Sequence, residues 1–314
     1  MEGPTLFKRL RLGRQEASCY AGISLHHDGA RGALLRALPG DRVSIEALAE
    51  ARGGDTRGEQ IATVLRELGA RRRTPLTVVL DRSDYALLQI EPPELPPEEL
   101  HEALRWRVRD MVDFPVDEAV IDQFELPPSQ RAGAPRLSCV VCAPPQPLDE
   151  IAVAANGTEL RAIDIPEMAL RDLVMHALDD RPHAWLYLAP RMALIEILKG
   201  DRIWLSRQIE LTAGLFQGGE PAAQDIDDLL LEVQRSLDYY QSLYATGPVD
   251  SLQVLGTSPA VEAAFVLSAA VYLSVPLGRF ELDGFEGLED HDEQQQRQSL
   301  LAIGAALREM PCAA

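Results

Sequence analysis

The stretch Leu229-Leu230-Leu231-Glu232-Val233-Gln234-Arg235-Ser236-Leu237-Asp238-Tyr239-Tyr240-Gln241-Ser242 decides how the rest of the chain is read. Together with Ile226, the residues Leu229, Leu230, Val233, Leu237 and Tyr240 recur at the period of one helix face. Gly247-Pro248 marks the stop. Three short apolar runs precede the helix: Ala184 to Leu188, Met192 to Leu198 and Arg202 to Ile209. Lys199-Gly200-Asp201 makes a tight turn between the last two, and Gln217 to Gln224 is a loop. After the helix come a strand at Ser251 to Leu255, a helix at Pro259 to Leu273 and a strand at Val275 to Leu282.

The same order of strand, strand, strand, helix, strand opens the chain. Cys19 to His26 and Arg31 to Leu38 read as a hairpin turned by His27-Asp28-Gly29. A third strand runs from Val43 to Leu48, and Gln60 to Leu68 reads as a helix ended by Gly69. Leu76 to Leu80 is continuously apolar, as a strand buried on both faces should be. Between the two halves lies a different unit. A strand at Tyr85 to Ile90 leads through Pro92-Pro93 and Pro96-Pro97 into a helix whose apolar face is Leu100, Leu104, Val108 and Met111. Strands Ala119 to Leu126 and Arg136 to Ala143 complete it. A helix within 144–156, a strand at Leu160 to Ile165 and a helix at Glu167 to Leu178 then connect to the second half.

This predicts a division into a basic tail (1–18), a first lobe (19–84 with 144–180 and 294–314), an inserted α+β subdomain (85–143) and a second lobe (181–282). An acidic stretch, Asp283 to Glu293, is expected to be a solvated loop. The terminal helix through Leu300, Leu301, Ile303 and Leu307 is expected to pack back on the first lobe.

Composition narrows the classes. The 314 residues suit two lobes better than one core. Lys plus Arg is 30 and Asp plus Glu 49, a formal net charge of −19, which disfavours general nucleic-acid binding. Lys8, Arg9, Arg11 and Arg14 are interleaved with apolar residues at the start, a pattern that fits either a solvated tail or a foot on an anionic membrane surface. No apolar run is long enough to span a bilayer and no secretory signal is apparent, so the expectation is a cytoplasmic protein. Cys139 and Cys142 form a C-x-x-C within a strand. Strand residues three apart face opposite ways, which argues against a shared metal or a disulfide. Cys19 and Cys312 complete the set. His26-His27 is too small a pair to read as a metal site.

Several phrases, in order, resemble the PilM family of actin-like type IV pilus assembly proteins, and its MshI branch from mannose-sensitive pilus systems in particular. They are Leu87 to Ile90 with Pro92-Pro93, Glu98-Glu99-Leu100 with Ala103-Leu104 and Trp106, Pro115 to Glu118 with Ile121-Asp122, Ile163 to Pro166 with Ala169 to Arg171, Glu232 to Tyr240, and Gly304 to Arg308. The resemblance implies an α/β actin-like ATPase fold, with duplicated ribonuclease H-like lobes and a small inserted subdomain. It also implies a place at the inner membrane and a PilN-like bitopic partner. In the family the partner's cytoplasmic peptide lies in a groove between the first lobe and its insert. Self-association is a further expectation.

The resemblance lets the nucleotide positions be checked. The family's first hairpin reads G-x-D-x-G; here it is Gly22-Ile23-Ser24-Leu25-His26. The second should read D-x-G; here it is Tyr187-Leu188-Ala189, followed by Pro190. The adenosine turn should offer two glycines; here Gly256 is followed by Thr257. Without the magnesium-side carboxylates, a chain this acidic is poorly equipped to hold a nucleotide triphosphate. No cofactor is therefore expected, and the reading is a non-catalytic scaffold, a pseudo-ATPase. The competing reading is a working ATPase that uses ATP with magnesium to regulate pilus or type II secretion assembly. No P-loop, zinc spacing or catalytic triad suggests another chemistry.

Overall fold

The computed structural model describes residues 19–310 apart from 41, 54–55, 94, 131–132, 134, 176–177, 212, 217–220 and 246. The basic cluster at Lys8 to Arg14 and Cys312 lie outside the described residues. β1 (Cys19–His26), β2 (Gly29–Ala37) and β3 (Val43–Arg52) form an antiparallel meander. α1 (Arg57–Glu67) follows, and β4 (Pro75–Val79) returns parallel to β1, buried along its whole length. Thr56 caps α1 from both sides: its side chain accepts from the Glu59 N–H, and the Glu59 carboxylate accepts from the Thr56 N–H at 2.8 Å.

The inserted unit comprises β5 (Ala86–Ile90), α2 (Pro97–Val108), β6 (Val120–Glu125) and β7 (Ser138–Ala143), with strand order β5-β7-β6. Its own core gathers Ile90, Leu104, Val108, Val116, Ile121, Val140 and Cys142. Cys139 packs into the larger core on the other side, so the two cysteines do face opposite ways. Met111 departs from the expected face. The helix ends at Val108, so Met111 leaves the helical period and stands 51% exposed.

α3 (Pro145–Ala154), β8 (Glu159–Asp164) and α4 (Pro166–Val174) lead to the second half. There β9 (His183–Ala189), β10 (Met192–Lys199) and β11 (Arg202–Glu210) form a second antiparallel meander. α5 (Ala223–Tyr244) follows, and β12 (Ser251–Gly256) returns parallel to β9. α5 buries all six residues predicted for its face, together with Ser236 and Tyr244. It ends earlier than the Gly-Pro signal, at Ala245, which takes the left-handed conformation with φ 48°. α6 (Pro259–Tyr272) then leads to β13 (Leu277–Arg279), much shorter than the strand expected over 275–282.

The acidic stretch is not simply a solvated loop. β14 (Phe285–Glu286) adds to the edge of the first sheet beside β3, where Glu286 meets Arg42 at 2.7 Å, and α7 (Glu293–Gln298) starts within it. α8 (Leu300–Leu307) is buried on all sides and lies against β1 and α4, as expected of the terminal helix. The sheets thus run β14-β3-β2-β1-β4-β8 and β11-β10-β9-β12-β13. One core cluster joins residues of both: Ile23, Val78 and Leu170 pack with Trp185, Tyr187, Leu194 and Leu255.

Candidate functional site

Gly22, Ser24 and His26 lie along β1, Tyr187 and Ala189 along β9, and Gly256 ends β12 with Thr257 after it. Gly256 pairs with Leu188, whose carbonyl accepts the Thr257 N–H at 2.9 Å. Ala21, Ile23 and Leu25 of β1 share one core cluster with Tyr187 and Ala189 of β9, so the two hairpins pack against each other. The fold therefore brings these positions together.

Their roles in packing are specific. A Cβ on Gly22 would stand 2.0 Å from the Ala302 carbonyl oxygen and 2.5 Å from the Ala306 nitrogen. A Cβ on Gly256 would stand 2.3 Å from the Leu188 carbonyl oxygen. In this chain both glycines admit the protein's own backbone. Ser24 is fully buried, with its Oγ 2.9 Å from His26 Nε2. Burial, followed by the Arg31 charge, lowers the His26 imidazole to about 4, so the ring is neutral at pH 7. Tyr187 is fully buried, its hydroxyl has no hydrogen-bond partner among the described residues, and burial pushes it up.

Arg31 occupies the middle of this region. It is 4% exposed, and its guanidinium grips Asp28 at two 2.8 Å contacts. Desolvation works to raise the Asp28 carboxyl, but the Arg31 hydrogen bonds and charge outweigh it and hold the group below the usual range. Asp28 and Asp81 are the carboxylates whose charge reaches His26. Asp81 is also engaged: its Oδ1 accepts from the Ser83 N–H at 2.9 Å and the Ser83 hydroxyl at 2.5 Å. Among the described residues, no group of three or more His, Cys, Asp or Glu side chains could hold a metal ion.

A second polar centre lies where the three sheets meet. Glu167 of α4 is fully buried and accepts from the Tyr85 hydroxyl at 2.8 Å and from Gln208 Nε2 at 2.5 Å. Glu196 of β10 is also fully buried; burial first, then the charge of Glu167, pushes its carboxyl well above the usual range. Beside this centre a cavity of about 490 Å³ opens between β5 and β11. Arg82, Gln89, Ser206, Arg207, Gln208 and Tyr239 line it. β5 and β11 are each the outer strand of their sheet, and Gln89 Nε2 reaches the Ser206 carbonyl at 3.3 Å across the gap.

Sequence reasoning missed Arg31, the Tyr85–Glu167–Gln208 group and this cavity. Two signals were available. Arg31 interrupts a run of glycine, alanine and leucine, and Glu196 is the one charge inside Met192 to Leu198. The phrase Glu232 to Tyr240 has a local explanation as well. Arg207 of β11 donates to the Glu232 carboxylate at 2.7 Å and to the Ser236 hydroxyl at 3.4 Å, which ties α5 to the sheet.

Two meanders, each with a parallel fourth strand, define the class: this is the actin-like ATPase fold. Among solved structures, the chain is similar to the one described as the PilM–PilN type IV pilus biogenesis complex. The TM-score is 0.71 at 18% identity, covering 92% of this chain and 98% of that one. A Bacteroides thetaiotaomicron protein with actin-like ATPase fold and unknown function matches at TM-score 0.52 and 11% identity, over 90% and 95% of the two chains. The cytoplasmic domain of EpsL from the Vibrio cholerae type II secretion system matches at TM-score 0.48 and 14% identity, over 84% and 98%. No protein-family model and no curated protein sequence matches the chain. The resemblance to PilM carried by the sequence phrases therefore holds at the level of the fold.

Proposed function

We propose that the chain is a non-catalytic actin-like scaffold of a type IV pilus assembly platform, of the mannose-sensitive type. It works at the cytoplasmic face of the inner membrane and binds the cytoplasmic segment of a PilN-like bitopic partner. The observation that carries the non-catalytic part is the occupation of the hairpin region by the protein's own groups. Arg31 neutralises Asp28, His26 is uncharged beside Ser24, and Gly22 and Gly256 are closed by backbone. Magnesium needs free carboxylates or waters held by them, and phosphate oxygens need open backbone N–H groups. The likeness to the PilM–PilN structure supports the partner. The two outer strands facing across the cavity lie between the insert and the second lobe, not in the groove between insert and first lobe that the resemblance implies, and offer a second place where an extended peptide could pair with strand edges. No described helix is long and apolar enough to cross a membrane, which fits attachment through a partner.

Calorimetric titration with ATP and magnesium, with a thermal shift alongside, tests the reading. The expected result is no heat and no stabilisation at millimolar nucleotide. A site occupied at one hundred times its Kd would add about 2.7 kcal/mol. A magnesium-dependent stabilisation of that order would make the nucleotide-regulated ATPase the better account.

A further inference from the structure

The turn between α1 and β4 carries Arg71, Arg72 and Arg73, and all three are exposed. The turn is pinned at both ends. The Arg71 N–H donates to the Thr74 hydroxyl at 3.0 Å, and the Thr74 N–H donates to the Arg71 carbonyl at 2.9 Å. Among the described residues, none of the three guanidinium groups has an ion pair or a hydrogen bond. Arg36, Arg42, Arg52 and Arg57 of the same lobe are each paired with a carboxylate, so free arginines are the exception here. Arg66, also exposed, meets only the neutral Thr63 hydroxyl, at 3.3 Å. From Arg66 to Arg73 the single acid is Glu67. Glu159 of β8, whose N–H donates to the Thr74 carbonyl, is held by Arg161 at 2.9 Å.

Four cations standing together in a chain whose net charge is −19 select an anionic partner. Nucleic acid is disfavoured by the remaining charge. A bound acidic peptide needs a groove or an open strand edge beside the cations. Neither the cavity between β5 and β11 nor the one between β3 and α7 contains any of these arginines, and β1 and β4 are each paired on both sides. A bilayer asks only for exposed cations on a projecting turn. Position adds a second argument. β1 and β4 run parallel with Ala21 beside Leu76, so both begin at the end of the first sheet where this turn lies. The segment that carries Lys8, Arg9, Arg11 and Arg14 among apolar residues joins the fold at Cys19, at the same end. The turn at His27-Asp28 and the link from β4 into the insert lie at the opposite end. We propose that Arg66, Arg71, Arg72 and Arg73 form a site for anionic lipid headgroups, on which the first lobe stands with its hairpin turn and insert facing away from the bilayer. This rests on the placement at the inner membrane given above and adds a direct lipid contact to attachment through a partner.

Flotation of the full chain with two kinds of vesicle tests this: phosphatidylcholine alone, and phosphatidylcholine mixed with phosphatidylglycerol. The chain should bind only the second kind, and high salt should release it. An arginine beside an anionic surface is worth about fivefold in affinity. The triple variant Arg71→Gln, Arg72→Gln, Arg73→Gln should therefore bind roughly a hundredfold more weakly. Its melting should be unchanged, because the side chains are exposed and unpaired. A second variant, with Lys8, Arg9, Arg11 and Arg14 changed to Gln, should still bind phosphatidylglycerol vesicles, and adding the triple change to it should remove that binding. A chain that ignores phosphatidylglycerol vesicles would overturn the proposal, as would a triple variant that binds as tightly as its parent. Capture of a polyglutamate peptide in place of vesicles would overturn it in favour of an acidic protein. The partner's peptide is titrated separately, without vesicles, so the lipid site and the scaffold reading fail independently.

Discussion

At Gly22 a hydrogen in place of a methyl group decides whether α8 can lie on β1. Replacing a strand glycine by alanine ordinarily gains about 0.5–1 kcal/mol in chain entropy. Here the added Cβ would sit inside two backbone atoms of α8, and overpacking costs about 1–3 kcal/mol or more. Gly22→Ala should therefore lose a net ~1–2 kcal/mol, read as a lower urea midpoint with unchanged slope. If Gly22 served only the approach of a ligand phosphate, its replacement would leave the stability of the free protein intact. The comparison separates packing from binding at a position where the sequence alone allows both.

At the scale of the element, α5 shows how a helix predicted from its period acquires partners the period does not mention. Its last residue, Tyr244, donates its hydroxyl to the Trp204 carbonyl at 2.9 Å and lies 3.3 Å from that of Pro127. The Ser129 hydroxyl in turn donates to the Leu243 carbonyl at 2.5 Å. The C-terminal turn of α5 is thereby joined to the segment between β6 and β7. Tyr244→Phe keeps the ring and removes the donor, which should cost about 1 kcal/mol in chemical denaturation. Tyr239→Phe, on the half-exposed side that borders the cavity, should leave stability unchanged and serves as its control.

For the whole molecule, closure depends on a contact between residues 144 positions apart. Arg308, just past α8, donates to Asp164 at the end of β8 at 2.7 Å; Asp164 is fully buried and the Arg308 side chain is 5% exposed. Burial raises the Asp164 carboxyl to about 6, with the Arg308 charge opposing the shift. The unfolded value is about 3.9, so the folded protein binds this proton first. Asp164 therefore favours folding most at low pH, and that contribution declines as pH rises through about 4 to 6. Without Arg308 the carboxyl rises further. Arg308→Met should cost about 3 kcal/mol at pH 9, where the buried carboxylate is driven to ionise without a partner. The deficit should shrink at pH 5, where Asp164 is protonated in the folded variant. Equal deficits at both pH values would show that packing, not charge, is what Arg308 supplies.

Much of the fold was legible because it is written in periodicity. The 3.6-residue stripe of α5 and the continuous apolar run of β4 report burial directly, and burial is what the hydrophobic effect selects. Repetition of the same element order in both halves made the duplicated plan readable without any repeated wording. The candidate site was legible only as absences, such as Ser24 where the resemblance expects an aspartate. What fills the region could not be read, because Arg31 is buried against Asp28, and Tyr187 in one core with β1, only after β2 has folded back on β1 and the second sheet has docked. The cavity between β5 and β11 belongs to the same kind, since two strand edges more than a hundred residues apart have no local signature in either segment. The sequence by itself determined the order of elements, the faces they bury and the acidic character of the surface, all set by local pattern and composition. Only the tertiary structure decided which charges are paired and which glycines admit backbone, because each depends on distances between segments that the chain brings together late.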